Sequence, residues 1–322
     1  MDKRKILIGG ASGFVGNALV NHFKKRGWKV VKLSRTHKSG QIFWDVENAY
    51  LNPYSISDFD AVISLAGENI FTRWTKKKKF KIISSRVNSA EAISRAIALS
   101  KNPPKVFLCA SAIGYYGNNN KKEIDENSPK GKGFLAEVCK HWEFASQCAK
   151  TPNTRIVNMR FGVVLDDKGG FFHSIKNFMR FGLRLLLGDG TTNFSWISLP
   201  DLCRAIDFAI ENESISGAVN FTSTKPCTYR DFTDACVEMS QHSIMLKIPR
   251  WIIRLCLGEI ANEMIFANTK VLPKKLLNSG FHFYDNDIFS FIKKRKAYEK
   301  YPHQNYSSTT CNHDIKCLLK RK

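Results

Sequence analysis

The stretch KILIGGASGFVG, Lys5 to Gly16, decides how this chain folds. Lys5, Ile6, Leu7 and Ile8 read as a short apolar strand, Gly10, Gly13 and Gly16 fall three apart, and Phe14 to Lys25 repeats apolar residues at helical spacing. The pattern is strand, tight glycine turn, helix. Gly10 can take the backbone angles of the turn, Gly13 lets main chain approach a phosphate, and Gly16 lets helix and strand pack closely. The helix start then offers unpaired N–H groups and the positive end of its dipole to a pyrophosphate. A glycine triplet alone is a weak signal, because such turns also merely close strand–helix units. Here both flanks agree, and dinucleotide binding is the expectation.

Moving outward, Gly27 stops the first helix, and Trp28 to Leu33 reads as a second strand ending in Ser34-Arg35. An NAD site usually places Asp or Glu here, to hold the ribose hydroxyls. No acid lies between Leu33 and Lys38; Arg35, with His37 and Lys38 nearby, suits a ribose 2′-phosphate, so NADP is favoured. Gln41 to Asp45 offers a third strand, Asp60 to Gly67 a fourth, Trp74 to Ser100 a long amphipathic helix, and Val106 to Ala110 a fifth strand. Gly131 to Ala149 predicts another helix and Thr154 to Phe161 a sixth strand. The alternation implies an α/β fold with a doubly wound parallel sheet of Rossmann type, covered on both faces.

Composition narrows the class. With 322 residues, 43% hydrophobic, and 20 Gly with 10 Pro, the chain is an ordinary globular protein. No run is long enough to span a bilayer, so a cytoplasmic protein without a membrane partner is expected. Nine cysteines without paired spacing suit free thiols in a reducing compartment. Cys311, His313 and Cys317 cluster in the basic tail, but three ligands make a poor zinc site, and no metal is expected. The formal net charge of +22 invites nucleic acid as a partner. That charge is spread along the chain and mostly lysine, without an aromatic-interleaved groove, so solvated faces are the better reading. It would also steer an anionic substrate or NADP.

Taken together these residues resemble the extended short-chain dehydrogenase/reductase superfamily, and within it the NADP-dependent epimerase-family branch that shares a characteristic C-terminal segment. The matching stretches are GGASGFVG (Gly9 to Gly16), DAVISLAGENI (Asp60 to Ile70), Ser85-Arg86, SAIGYYG (Ser111 to Gly117), Trp142-Glu143, RFGVVL (Arg160 to Leu165) and LPKKLLNSGFHF (Leu272 to Phe283). The resemblance implies a Rossmann domain over residues 1–165, completed by strands from about 195–225, and a substrate-side region over 166–292; past Ile292 nothing matches, and Lys293 to Lys322, polar, basic and poorly patterned, is expected to be a disordered or loosely docked tail. It implies NADP contacts at Gly10, Ser12, Gly13, Phe14, Val15, Arg35, Ala66, Gly67, Ala110 and Ser111. It does not by itself imply a known substrate; a small polar one, nucleotide sugars among the candidates, is the expectation, and a homodimer is left open.

One requirement of that superfamily fails. Its enzymes usually take a proton with a tyrosine assisted by a lysine four residues on, on one helix face. None of the nine tyrosines has Lys four positions later. Anchored on Glu143, the helix puts Leu135 in the tyrosine's place and Cys139 in the lysine's. Three explanations stand. Tyr116 or Tyr115 could act as an alternative acid beside Ser111, helped by Lys140 or Glu143. Water or a substrate group could carry the proton. Or the chain binds NADP without catalysis, as a sensor or assembly partner. The branch's SWIHIDDL pattern is also altered, to SWISLPDL from Ser195 to Leu202, with Ser198 for the histidine and Pro200 for the first aspartate.

Overall fold

The computed structural model of the chain describes residues 3–118, 123–180, 183–236 and 244–300. Its first elements are β1 (Lys5–Gly9), α1 (Phe14–Lys25), β2 (Lys29–Ser34), β3 (Gln41–Phe43), β4 (Ala61–Ser64), α2 (Lys76–Ala98) and β5 (Val106–Ala112). Next come β6 (Glu123–Ile124), α3 (Phe134–Ser146), β7 (Arg155–Phe161), β8 (Val163–Leu165), α4 (Gly170–Arg180), β9 (Leu183–Leu187), β10 (Asn193–Phe194) and β11 (Trp196–Ser198). The remainder comprises α5 (Leu199–Glu211), β12 (Gly217–Phe221), β13 (Cys227–Thr228), α6 (Tyr229–Ala235) and β14 (Ile244–Ile248). It closes with α7 (Arg250–Leu257), β15 (Lys270–Val271), α8 (Lys274–Asn278) and α9 (Ile288–Lys300).

Seven parallel strands form one sheet in the order β12-β7-β5-β4-β1-β2-β3. Leu7 at its centre sits beside Val31 on one side and Val62 on the other. Strands flanked on both sides and covered on both faces must be apolar throughout, and Ile6, Leu7, Ile8, Val62, Ile63, Phe107 and Leu108 are all fully buried. Helix α2 packs along α3, and α1 along α5. Right-handed crossovers running to opposite edges place these pairs on opposite faces, which is the doubly wound fold expected. Chain direction across the sheet reverses between β1 and β4. A ligand crevice belongs at the carboxyl ends of those strands.

A second apolar cluster collects Leu165, Phe172, Phe194, Trp196, Phe232 and Phe291 from segments after β7, with Phe172 and Phe291 edge to face at 5.9 Å. Between the two clusters, β12 returns to the main sheet beside β7, whereas β11 pairs with β8 outside it. The altered SWISLPDL loop has a local explanation. The Ser198 hydroxyl caps α5 by accepting from the Asp201 N–H at 3.3 Å, and Pro200 occupies the first turn, where no N–H is missed. The buried Asp201 carboxylate in turn accepts from the N–H groups of Tyr284 (2.9 Å) and Asp285 (2.8 Å).

Two expected boundaries move. The helix expected from Gly131 begins at Phe134, where the Glu263 carboxylate accepts from the N–H groups of Phe134 and Leu135 at 3.0 and 3.1 Å. The tail expected to be disordered from Lys293 is helical as far as Lys300. Ile288, Phe291 and Ile292 anchor α9 in the second cluster, Lys294 pairs with Asp285 and Arg295 with Asp166. Residues 301–322, including Cys311, His313 and Cys317, lie outside the described residues. Among the described residues no helix is long and apolar enough to cross a membrane, and no group of His, Cys, Asp and Glu could hold a metal ion.

Candidate functional site

A cleft of about 750 Å³ opens at the carboxyl ends of β1, β2 and β4. Gly10, Ser12 and Gly13 line its floor, Ala66 and Gly67 one wall, and Arg35, Thr36 and Lys38 the far end. Gly10 has φ 76°, and a Cβ there would lie 2.8 Å from the carbonyl carbon of Leu65. At Gly16 a Cβ would come within 2.2 Å of the Gly10 carbonyl oxygen. The turn therefore presses against both β4 and its own helix, and glycine alone permits it. Gly13, which begins α1, has room for a Cβ at 3.4 Å, but its helix has neither a side-chain cap nor an acid in its first turn. The free amides and the positive end of the dipole face the cleft.

At the other end, the exposed Arg35 side chain makes no hydrogen bond or ion pair to any described residue. His37, expected near it, instead stacks on Phe43 with ring centres 4.2 Å apart. Four expected contacts do not line the cleft: Ser111, described below, and Phe14, Val15 and Ala110. The Phe14 ring lies against Gly169, where a Cβ would come within 2.4 Å of it; Val15 packs on the main core; Ala110 is buried within β5. Lys32, Asn17, Gln41, Trp44 and Val46 do line it, and the sequence reading missed them because their strands and loops pass it only once folded.

The residues expected to carry catalysis sit elsewhere. Ser111, 2% exposed, donates its hydroxyl to Glu143 Oε1 at 2.7 Å. Arg160 holds the same carboxylate at both oxygens, Nε to Oε1 and Nη2 to Oε2, each at 2.8 Å. Its Nη1 donates to the Tyr116 hydroxyl at 2.9 Å, and that hydroxyl donates to Asn220 Oδ1 at 2.8 Å. Asn220 Nδ2 donates onward to the Leu272 carbonyl at 3.0 Å. Tyr116 is 1% exposed, and burial, against the pull of Arg160, pushes its phenol up to about 12. A hydroxyl so enclosed, with both its donor and acceptor roles taken, cannot give a proton to a ligand.

Tyr115 lays its ring on the Arg160 guanidinium at 3.5 Å and lines a separate groove of about 560 Å³ with Lys140, His141, Glu143, Phe144 and Asn158. That groove and the glycine cleft share no lining residue. The structure thus joins Ser111, Tyr115 and Tyr116 to Glu143 and Arg160, not to the cleft. Glu143, read from sequence as an assistant or a surface group, is the centre of this network. A signal was present: past Arg155 at its start, β7 is apolar except for Asn158 and Arg160, polar residues two apart and hence on one face. Of the two residues expected from the sequence in the places of the tyrosine and lysine, Leu135 packs against Gly114, and the Cys139 thiol points at the Ala112 carbonyl, 3.6 Å from it. Burial pushes that thiol up to about 11.

Residues 6–221 match the profile of the NAD dependent epimerase/dehydratase family, and residues 248–294 match a domain of unknown function, DUF1731. An epimerase family protein of Mycobacterium bovis is 35% identical over 286 residues, 88% of this chain and 94% of its own. The human epimerase family protein SDR39U1, whose crystal structure contains NADPH, superposes with a TM-score of 0.82 at 28% identity, covering 91% of this chain and 99% of its own. A nucleoside-diphosphate sugar epimerase of Corynebacterium glutamicum superposes with a TM-score of 0.76 at 29% identity, covering 92% of this chain and 59% of its own. On its glycine turn, its doubly wound sheet and these likenesses, the chain belongs to the NAD dependent epimerase/dehydratase family, with the extended short-chain dehydrogenase/reductase fold and a DUF1731 segment at its C-terminal side.

Proposed function

We propose that the chain binds NADP(H) in the glycine-lined cleft and acts as an NADP(H)-dependent oxidoreductase or epimerase on a small polar substrate, of which nucleotide sugars are the first to try. The observation that carries this reading is Arg35. It is a cation without a partner among the described residues, at the ribose end of the cleft beside Thr36 and Lys38, where an NAD site would hold a carboxylate. The human relative crystallised with NADPH supports the same choice. The amides of Ser12 and of the first residues of α1 would hold the pyrophosphate, the Gly13 N–H being given to the Gly10 carbonyl at 3.1 Å, and Arg35 with Lys38 the 2′-phosphate. Bound there, the cofactor supplies a hydride at nicotinamide C4. Tyr116 and Ser111 are committed to their own network, Tyr115 lines the separate groove and Leu135 has no ionisable group, so the proton comes from water or from the substrate.

Arg35→Ala should weaken NADPH binding by about 1.5–3 kcal/mol, the worth of charge-assisted hydrogen bonds, while NADH binding is unchanged. Equal losses for both would refute the 2′-phosphate assignment. A second reading, a non-catalytic NADP-binding sensor or assembly protein, is favoured by Leu135 and Cys139 in the places of the proton-transfer pair. NADPH oxidation in the presence of a panel of ketones and nucleotide sugars separates the two: turnover supports the enzyme, binding without turnover across the panel the sensor. The unpaired state of all seven described cysteines supports a reducing, cytoplasmic setting as part of this proposal. Sedimentation would test the homodimer.

A further inference from the structure

Arg86, midway along α2, turns its guanidinium toward the backbone that follows β4. Nη1 donates to the carbonyls of Glu68 (3.0 Å) and Ile82 (3.1 Å), and the guanidinium carbon lies 5.1 Å from the centre of the Trp142 ring. A Cβ on Gly67 would come within 3.1 Å of that carbon, so the cation fills the space beside a residue that lines the cofactor cleft. Cys139, which stands where the superfamily's lysine would, is within its electrostatic reach.

What this arginine lacks is a counter-ion. Glu68, whose carbonyl it touches, turns its carboxylate to Lys78 at 2.5 Å, and among the described residues no carboxylate stands within ion-pair distance of Arg86. Arg160, the comparable cation on β7, has Glu143 in both forks of its guanidinium. A cation drawn partly out of water without an anion is disfavoured, and burial does pull the Arg86 pKa down. Fastening the 65–68 segment to α2 would use Nη1 alone, and a neutral glutamine could do it. Nε and Nη2 make no hydrogen bond to a described residue. They are donors in a fixed fork, the geometry that matches phosphate and carboxylate.

We propose that Arg86 is an oxyanion-binding residue of this site, taking a phosphate or carboxylate group beside Gly67 and delivering from α2 the positive charge that α3, with Cys139, does not carry. The proposal rests on the cleft being the cofactor site. The oxyanion has two sources, the nicotinamide-side phosphate of the cofactor or an acidic group of the substrate.

Calorimetric titration of the full chain with NADPH and with adenosine 2′,5′-bisphosphate, which has no nicotinamide half, tests it in wild type, Arg86→Gln and Arg86→Met. If the cofactor supplies the oxyanion, both variants weaken NADPH about tenfold or more and leave the bisphosphate unchanged. If the substrate supplies it, NADPH affinity holds, and NADPH-saturated wild type binds inorganic phosphate or malonate where neither variant does. Unaltered binding of NADPH, phosphate and malonate in Arg86→Gln overturns the proposal. So does loss of bisphosphate binding in that variant, which marks a purely structural staple; Arg86→Gln keeps a donor for the Glu68 and Ile82 carbonyls and guards against misfolding. Failure of wild type to bind the bisphosphate counts against the cleft reading instead, and the phosphate and malonate titrations then judge Arg86 by themselves.

Discussion

The glycine cleft and the Glu143 network are built from opposite kinds of polar group. In the cleft, the start of α1 has no side-chain cap and Arg35 has no partner among the described residues; in the network, Ser111, Tyr116, Arg160 and Asn220 all have theirs. Polar groups left open at a concave surface wait for a ligand, while polar groups already satisfied in the interior hold the fold. Residue type alone cannot tell them apart. A serine and a tyrosine beside a sheet edge look catalytic until their hydrogen bonds are traced.

The largest effect should come from breaking the network. Glu143→Ala leaves Arg160 as an uncompensated buried cation and should cost about 3–5 kcal/mol in chemical denaturation, with NADPH affinity of the folded fraction unchanged. Loss of NADPH binding without loss of stability would instead move the network into the ligand site. Next, Gly16→Ala drives a Cβ into the Gly10 carbonyl and should cost about 3 kcal/mol, seen as a lowered Tm. Gly13→Ala meets no such clash, so it should leave Tm in place and weaken NADPH, which sharpens the distinction between packing glycine and binding glycine.

Tyr116→Phe ranks below these, at about 1–3 kcal/mol, because Asn220 and Arg160 each lose a partner; it should not change turnover if the phenol is structural. The sign of its pH dependence follows from its raised pKa: the contribution is present below about 10, the ordinary phenol value, and is lost as pH rises through about 12. Smallest is Asp189, held down to about 2 chiefly by the Thr191 N–H and hydroxyl, with Arg250 assisting. A carboxylate lowered from 3.8 stabilises above that value and loses its contribution as pH falls toward about 2. Being half exposed, it is worth at most about 1 kcal/mol, and Asp189→Asn should flatten that part of an acid unfolding curve.

Much of the fold was legible because it is local. Strand β1, the turn and α1 announce themselves within a dozen residues, and the apolar runs at Asp60 to Gly67 and Val106 to Ala110 carry their own periodicity. The cleft's far end was legible too, since Arg35 follows β2 directly. The network was not, since it joins β5, α3, β7 and β12, elements separated by up to about a hundred residues whose side chains meet only across the sheet. The start of α9 was missed for a different reason. Its apolar face of Ile288, Phe291 and Ile292 lies just ahead of a lysine run that reads as tail.

A crystal structure of the chain with NADPH is the most direct test. It should place the 2′-phosphate within hydrogen-bonding distance of the Arg35 guanidinium and the pyrophosphate on the amides of Ser12 and the start of α1, with the Tyr116 hydroxyl still between Arg160 and Asn220. A nucleotide seated instead in the groove beside Tyr115 and Lys140, or a glycine turn left untouched by it, would contradict that assignment.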